Sequence, residues 1–411
     1  MLTLGNAIDL ALCNNPQLRS SWAAIKVQAG ALGEAKATYL PTLSATLNKQ
    51  ETTTEYVGAR SPATVVDGQS NYASLSWRLL DFGGRHANQE AANDLLLAAL
   101  ANHDAALQKT LGQVIQAYFD AQTARATVKA KEEEEAIARN TLESAMRREA
   151  HGTASHADTL QAITALAKAS LDKNRSLGSW QKNLAILVYA IGIRPQTQLI
   201  LADDPQDYDT LDEKSLQAWM DTAEQSHPAI RAARAQWEAA LQKVAATRSE
   251  GMPVLDFSAN YYQNGYPGQG LSAVSSNVGT VGIAITVPLF DGFSRTYKIR
   301  GAQAQAEQRE GDLLDTRHNT LMAVVQAHAD ALAAVRNLES SQTLLSAAQE
   351  SLASSQRRYD KGAASIVEIL NTQATLADAQ QERIRCLSEW RSARLHLLTS
   401  AGVMGREVIA K

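Results

Sequence analysis

The stretch SWRLLDFGGRHA at residues 76–87 has a near copy in TVPLFDGFSRTY at residues 286–297. Both stretches pass from alternating apolar residues through a Leu-x-Asp motif and a few small or turn-forming residues. Each then reaches an Arg that opens a long segment rich in helix-forming residues. The sequence therefore predicts the same corner, from a strand into a helix, at two places in one chain.

The repeat extends over the whole chain. NNPQL at 14–18 matches SHPAI at 226–230, and RREAHGTAS at 147–155 matches RRYDKGAAS at 357–365. The offset changes by two residues only between Pro41 and Asp81, as expected for a loop of different length. Self-similarity of this extent indicates a repeat architecture. We predict two copies of one unit, the first at 1–210 and the second at 211–411.

Each copy is predicted to contain the same series of elements, in a fold that is mainly α with a small β part. Gly-, Ser- and Asn-rich links at 58–70 and 264–276 are predicted to be loops within the hairpins. The first copy is predicted to hold a helix at 17–37, a β-hairpin at 40–80, a long helix at 85–150, a return helix at 156–192 and a linker. The second is predicted to hold a helix at 229–249, a β-hairpin at 253–290, a long helix at 295–360 and a return helix at 366–401.

The two long helices are the most unusual prediction. Neither contains Pro, Gly is rare, and Ala, Gln, Leu, Glu and Arg dominate. About 66 residues at 1.5 Å per residue would form a rod of roughly 100 Å. A rod of this length needs other rods along its sides, and the abundant Ala favours the close approach of a coiled-coil-like assembly.

The strand segments alternate apolar and small polar residues with a period of two. This pattern predicts that Ser76, Arg78, Ala284 and Thr286 face a pore or neighbouring strands. Four strands per chain cannot close a barrel in a membrane, whereas three chains would supply roughly twelve strands. The residues predicted to face lipid are Leu75, Trp77, Leu79, Ile283, Ile285 and Leu289.

Composition and motifs exclude several other classes of protein. The net charge of −4 does not suggest a nucleic-acid partner, which would need a basic face. DFG at 81–83 lacks the other motifs of a protein kinase. His151 and His156 have no Cys or carboxylate cluster at ligand spacing, so we expect polar turn residues and no metal or cofactor. Cys13 and Cys386 are expected to be buried free thiols. We find no set of catalytic residues.

The chain resembles the TolC-like outer-membrane efflux proteins. The resemblance rests on the NP-L and LP-L opening, the strand ends W-LLDFGGR and VPLFDGFSR, the long Ala/Gln-rich segments and the RY–G–S–E-L segment near the second reversal. It covers both repeats in order. It implies a homotrimer with a twelve-stranded barrel in the outer membrane of a Gram-negative bacterium and a long α-helical barrel across the periplasm. An equatorial region would be formed by the N-terminus, about 193–228 and the C-terminus.

The function implied by the resemblance is a passive exit duct of tripartite efflux or type I secretion systems. Such a duct receives cargo from an inner-membrane pump through a periplasmic adaptor protein. Drugs, metal ions, siderophores and secreted polypeptides are all compatible with the sequence. The alternatives are a soluble coiled-coil scaffold protein, in which the strands would serve self-association, and a periplasmic enzyme.

The resemblance also implies two functional regions at the helix reversals. Adaptor hairpins would dock at a periplasmic tip formed by Gly152, Thr153, Gly362 and Ser365. A periplasmic gate would include Glu368 and Asn371, where only the first keeps the family's acidic residue. Tyr359 and Asp158 match a Tyr–carboxylate link that holds the gate closed. Ala364 replaces the Arg of that link.

Overall fold

The structure, a computed structural model, describes residues 1–55, 57–58, 63–194, 199–202, 215–264 and 275–404. Within these residues the order helix, helix, strand, strand, long helix, return helix occurs twice. The first series is Leu4–Asn14 (α1), Pro16–Ala37 (α2), Thr42–Thr54 (β1), Thr64–Leu80 (β2), Gly84–Ala150 (α3) and His156–Ile191 (α4). The second series is Leu216–Ser226 (α5), Pro228–Ser249 (α6), Val254–Gln263 (β3), Asn277–Thr286 (β4), Ser294–Asp360 (α7) and Ile366–Ser400 (α8).

The long helices α3 and α7 each contain 67 residues. Their composition explains their continuity, because neither contains Pro and most of their residues have high helix propensity. Each begins and ends within one residue of the predicted bounds. Each ends where a Gly adopts a left-handed backbone conformation, Gly152 after α3 and Gly362 after α7.

The four strands form one antiparallel sheet in the order β1-β2-β3-β4. The predicted loop at 58–70 is wrong from Thr64 onward, because β2 begins there and pairs with Thr54 of β1. The backbone hydrogen bonds between β1 and β2 continue through the pair of Gln50 and Gly68. Pairing with β1 therefore makes this segment a strand, despite the turn-forming residues that it contains. Most of the other predicted loop, at 264–276, lies outside the described residues.

The ends of two strands differ from the predicted alternation. β4 ends at Thr286, so Leu289 follows the strand and does not belong to it. Pro288 lies between them, and Pro cannot donate a hydrogen bond to a sheet. In β2 a register shift between Arg78 and Leu80 pairs Leu80 with Leu255, so Leu80 takes the place in the apolar row that was predicted for Leu79.

The chain divides into two compact units, and neither corresponds to one repeat. The helical unit contains 1–22, 101–231 and 316–411, and the strand unit contains 23–100 and 232–315. The core of the helical unit is formed by side chains of α1, α3, α4, α5, α7 and α8, with Trp219 and Tyr118 among its largest buried residues. The N-terminus joins this unit through a hydrogen bond from the Leu2 nitrogen to the Ile200 oxygen at 2.8 Å.

Both cysteines are free thiols. Cys386 is buried as expected, but Cys13 is exposed, which corrects the prediction. The buried side of α1 consists of Leu4, Ala7, Ile8 and Ala11, and Cys13 lies outside this stripe. None of the described helices is long and apolar enough to cross a membrane.

Candidate functional site

The first helix reversal is closed by backbone hydrogen bonds around Gly152. Gly152 has φ +69, a conformation that side chains with a Cβ rarely adopt. The Thr153 nitrogen donates to the Arg148 oxygen at 2.8 Å, and the Gly152 nitrogen donates to the Glu149 oxygen at 2.9 Å. This pair of bonds is the Schellman motif, which satisfies carbonyl groups at the end of a helix.

The second reversal has the same backbone arrangement. Gly362 has φ +74, and its nitrogen donates to the Tyr359 oxygen at 2.8 Å. The Ala363 nitrogen donates to the Arg358 oxygen, also at 2.8 Å. Gly152 and Gly362, both predicted for the tip, thus occupy equivalent positions in the two repeats. Both turns need a glycine because their backbone has a positive φ, and the two repeated glycines are visible in the sequence.

Serine residues begin both return helices, but the acidic residue three positions later behaves differently. The Ser155 oxygen accepts from the Asp158 nitrogen at 3.2 Å, and the Asp158 carboxylate accepts from the Ser155 nitrogen at 3.1 Å, which forms a capping box. Ser365 caps α8 in the same way, accepting from the Glu368 nitrogen at 3.3 Å. The Glu368 carboxylate bonds elsewhere.

The Glu368 carboxylate forms an ion pair with Arg358 of α7, at 2.7 Å between Oε1 and the guanidinium nitrogen. Ser355 donates to the same oxygen at 3.4 Å. The Glu368 side chain retains 33% of its exposure, so it is accessible while paired. Asn371, one turn later in α8, is exposed. The sequence identified Glu368 but did not predict its pairing.

Tyr359 is buried, and its hydroxyl has no hydrogen-bond partner in the described part of the chain. The predicted bond to Asp158 is therefore not formed within this single chain, where Asp158 caps α4 instead. The Arg148 guanidinium lies over the Tyr359 ring at 4.4 Å and donates to its backbone oxygen at 2.7 Å. Burial raises the pKa of the Tyr359 hydroxyl, while the nearby Arg148 charge opposes that shift.

Arg148 is the residue of this region that the sequence analysis missed. It joins the end of α3 to the end of α7, and the two residues are separated by 211 positions in the sequence. The available signal was the Arg-Arg pair that precedes both reversals, at 147–148 and 357–358. The repeat identified the position. It could not show that Arg148 contacts the other hairpin, whereas Arg358 contacts its own hairpin.

A second polar cluster surrounds Glu149 at the first reversal. Its carboxylate accepts from the Thr159 hydroxyl at 2.5 Å and lies 2.8 Å from Nδ1 of His156. The Thr159 hydrogen bond is the main cause that lowers the pKa of Glu149, with His156 second. His156 is thus the first residue of α4, not a turn residue, and it is bonded to a carboxylate. No group of three metal-ligating side chains occurs among the described residues.

The register of the sheet places large apolar residues of all four strands on one face. Leu43, Leu75, Ala259 and Val281 form one row across the sheet. The next row contains Trp77, Phe257 and Ile283, and Ile285 pairs with Leu255 beyond it. Many of these side chains are exposed in the single chain, with Val281 at 76% and Ile285 at 70%.

The opposite face of the sheet carries more polar residues, together with the paired Tyr72 and Tyr262. Arg78 pairs with Asp256, with Nε and Oδ1 2.9 Å apart, and Ala284 completes their row. Ser76 lies opposite Ser258 in the neighbouring row. Because successive side chains of a strand point to opposite faces, this arrangement follows from the alternation in the sequence.

The corners after β2 and β4 are both organised by an Asp and an Arg four residues later. The Asp81 carboxylate accepts from the Arg85 backbone nitrogen at 2.8 Å, and Asp291 accepts from Arg295 at 3.0 Å. Each corner also holds an exposed Phe with a positive φ, Phe82 at 49 and Phe293 at 65. Positive φ is rare for bulky residues.

Comparison with known proteins agrees with this architecture. The family described as "Outer membrane efflux protein" matches residues 7–193 and 219–403, one segment for each repeat. Protein CyaE of Bordetella pertussis is 36% identical over 411 residues, which cover 99% of this chain and 85% of that protein.

Two solved structures share the fold. The outer membrane protein VceC of Vibrio cholerae has a TM-score of 0.84 at 21% identity, covering 97% of this chain and 96% of that one. The CmeC outer membrane channel of Campylobacter jejuni has a TM-score of 0.84 at 15% identity, covering 99% and 88%. The chain therefore belongs to the outer membrane efflux protein family and is an outer-membrane exit channel for efflux or secretion, not an enzyme.

Proposed function

We propose that three copies of this chain form a passive duct. The duct would cross the outer membrane with a twelve-stranded barrel and extend into the periplasm of a Gram-negative bacterium as a helical barrel. It would receive cargo from an inner-membrane pump through a periplasmic adaptor protein. The two repeats, 1–210 and 211–411, would then act as two similar staves of one tube.

The observation that carries this proposal is the exposed apolar face of the four-stranded sheet. Leu43, Val281, Ile283 and Ile285 are all more than half exposed in the single chain. The outer strands β1 and β4 each leave one edge without a neighbouring strand in the described residues. Lipid tolerates apolar side chains but not open strand edges, so further copies of the chain must complete the sheet.

Membrane extraction followed by a mass measurement tests this proposal. We expect the protein to stay with the outer membrane after high-salt washing, to dissolve in a nonionic detergent, and to have the mass of three chains by native mass spectrometry. Recovery in the soluble fraction of broken cells without detergent would instead favour the coiled-coil scaffold.

We also propose that the helix reversals form the periplasmic tip where adaptor hairpins dock. Gly152, Thr153, Gly362 and Ser365 are exposed, and the Schellman turns leave no bulky side chain at either glycine. Photo-crosslinkers placed at Thr153 and Ser365 should capture a periplasmic adaptor. The matched control is exposed Thr343 in the middle of α7. Crosslinks from the tip that reach only outer-membrane proteins would contradict this placement.

Glu368 is proposed as the charged element of the gate, with Asn371, Asp158 and Tyr359 around it. In a trimer, Glu368 would contribute three carboxylates near the threefold axis, where they would attract cations. The ion pair with Arg358 offsets part of that charge. Ala364 supplies no cation for a link to Asp158, whereas Arg148 places one beside Tyr359.

A further inference from the structure

A groove in the helical unit, lined by α3, α4 and α8, has a volume of about 760 Å³. This volume lies within the range of roughly 300–1,000 Å³ that is usual for small-molecule sites. The groove is separate from the helix reversals and contains none of the residues predicted for the gate or the tip. The proposed duct function assigns no role to this groove.

The groove carries an excess of positive charge. Arg125, Lys129 and Arg391 contribute three cationic groups to its lining, against one carboxylate from Glu132. Arg125 is held in place because it donates to the Leu201 oxygen at 2.9 Å. Since its walls exclude part of the solvent, the charges act more strongly on a ligand than they would in water. An anion is the complementary ligand.

Two hydrogen-bond donors of the groove have no acceptor in the described residues. Nε1 of Trp180 and Nε of Arg391 are both shielded from solvent and unpaired. A buried donor without an acceptor costs about 1–3 kcal/mol. A ligand oxygen bound within reach of either donor would relieve this cost.

The remaining lining is largely apolar and includes Phe119, Leu177, Ile384 and Leu387. Together with the Trp180 ring, these residues offer a surface for an aromatic or aliphatic body. A site with an apolar lining and a few directed polar groups is typical of small-molecule recognition. A ligand complementary to this lining would have an apolar body and an anionic head.

A second groove of the helical unit shows that this charge is specific to the first. The second groove has a volume of about 440 Å³ and is lined by Asp330, Glu389 and His396 among other residues, and no Lys or Arg contributes to it. Lys129 of the first groove corresponds to Glu339 in the repeat, and Arg125 corresponds to Val335. Two of the three cationic groups, at 125 and 129, thus have no cationic counterpart in the other repeat, so the positive charge is not a general property of the helical surface.

We propose that the groove between α3, α4 and α8 binds an amphipathic organic anion, with its head on Arg391 and Trp180 and its apolar body against Phe119 and Leu387. Arg391 supplies a charge-assisted hydrogen bond, and Trp180 supplies a neutral one. Lys129 contributes long-range attraction at the mouth. The proposal does not depend on the gate or on adaptor docking.

Isothermal titration calorimetry tests the proposal with the purified full-length protein in a nonionic detergent. The probe is 1-naphthalenesulfonate, and the neutral comparison compound is 1-naphthalenemethanol, each corrected by a titration into detergent alone. We expect the sulfonate to bind at least about tenfold more tightly than the alcohol, as a charged hydrogen bond would provide.

Arg391→Gln should weaken sulfonate binding by about tenfold or more, because it removes the charge-assisted bond. Trp180→Phe keeps the ring but removes the donor, and it should weaken binding by roughly threefold. Lys129→Gln changes an exposed residue and keeps the test valid if Arg391→Gln does not fold. Arg175→Gln, an exposed position on α4 outside the groove, is the matched control and should change nothing.

Three results would overturn the proposal. The first is equal affinity for the sulfonate and the alcohol. The second is unchanged sulfonate affinity in Trp180→Phe, Lys129→Gln and any folded Arg391→Gln protein. The third is the absence of binding to the parent protein, which would mean that the assembled protein covers the groove.

Discussion

The two repeats are used in the same way in the sheet and in different ways at the helix reversals. In the sheet, Leu75 and Ile285 occupy matching positions, and both lie on the apolar face. At the reversals the backbones match, but the side chains do not. Arg358 pairs with Glu368 of its own hairpin, whereas its counterpart Arg148 reaches across to Tyr359 of the other hairpin.

This difference shows which features the duplication preserved. A sheet face that must contact lipid needs only apolar residues at alternate positions, so either repeat can supply them. A trimer built from two-repeat chains has six reversals, of two kinds. Residues that differ between the repeats, such as Glu149 and Tyr359, make those two kinds chemically distinct.

The largest expected effect is a loss of stability when a charge is placed on the apolar face of the sheet, and it should be equal in the two repeats. Leu75→Lys and Ile285→Lys each place a charge on the apolar face of the sheet. Each should cost about 2–4 kcal/mol near the middle of the bilayer. The yield and thermal stability of the assembled protein, measured on gels without boiling, should fall to a similar extent in both variants.

Ala284→Lys is the matched control, because Ala284 neighbours Ile285 but lies on the polar face in the row of Arg78 and Asp256. It should assemble almost normally. Normal assembly of Ile285→Lys, or a loss in Ala284→Lys of the same size, would show that the apolar face does not meet lipid.

A smaller and unequal effect is expected at the reversals. Arg148→Met removes a guanidinium hydrogen bond and a cation–π contact, which together are worth about 2 kcal/mol. Arg358→Met removes a half-exposed ion pair and a hydrogen bond to the Ala363 oxygen, together worth about 0.5–1 kcal/mol. Hydrogen exchange of the amides of Gly362 and Ala363 should therefore accelerate by roughly 30-fold in the first variant and about two- to fivefold in the second.

The two proteins should be compared at the same pH and ionic strength, since the Arg358 ion pair is sensitive to salt. Equal acceleration in both variants would contradict the claim that, of these two arginines, only Arg148 joins the two hairpins.

A third pair of matching positions lies where each short helix meets the next. Asn15 stands between α1 and α2 and accepts from the Gln17 nitrogen at 2.8 Å. His227 stands between α5 and α6, and its Nδ1 accepts from the Ala229 nitrogen at 3.2 Å. Only an unprotonated Nδ1 can accept this bond. Burial lowers the pKa of His227.

This pair predicts a pH dependence in one repeat only. Because the folded state holds the His227 pKa below its ordinary value of about 6.5, the stabilisation is complete above that value and is lost as the pH falls toward the lowered pKa. Opening of the α5–α6 junction should increase with acid, by at most about tenfold per pH unit. The Asn15 junction should show no such step.

Hydrogen exchange of the Ala229 and Ile230 amides between pH 7 and 5, corrected for the intrinsic rate, measures this effect. His227→Asn copies the residue of the first repeat, so it should keep the hydrogen bond and abolish the pH step. A step that persists in His227→Asn would mean that another group is titrating.

The elements of the fold were predictable because their signals are local. Long helices without Pro, glycines at their ends and serine caps specify α3, α4, α7 and α8 to within one residue. The start of β2 was not predictable, since Thr64–Ser70 looks like a loop until β1 offers it a partner strand. Cys13 was misplaced because about half a helical turn, roughly two residues, separates the buried side from the exposed side.

The proposed functional regions were predictable only in part. Glu368 and the tip glycines follow from matching motifs, and the family comparison supports the function of the chain. The pairing of Glu368 with Arg358 and the stacking of Arg148 on Tyr359 depend on how neighbouring helices are rotated. No local pattern in the sequence determines that rotation, so long-range contacts of this kind had to come from the structure.

The most direct measurement is single-channel recording of the purified protein in planar lipid bilayers. We predict cation-selective channels that trivalent cations block from one side. Glu368→Ala should weaken that block, whereas Arg358→Gln should strengthen it by releasing the Glu368 carboxylate. Asp158→Ala, at the matching position of the first repeat, should weaken it less, because the Asp158 carboxylate is engaged in the cap of α4. Absence of channels, or a block that Glu368→Ala and Asp158→Ala reduce equally, would contradict a duct whose second reversal carries the charged gate.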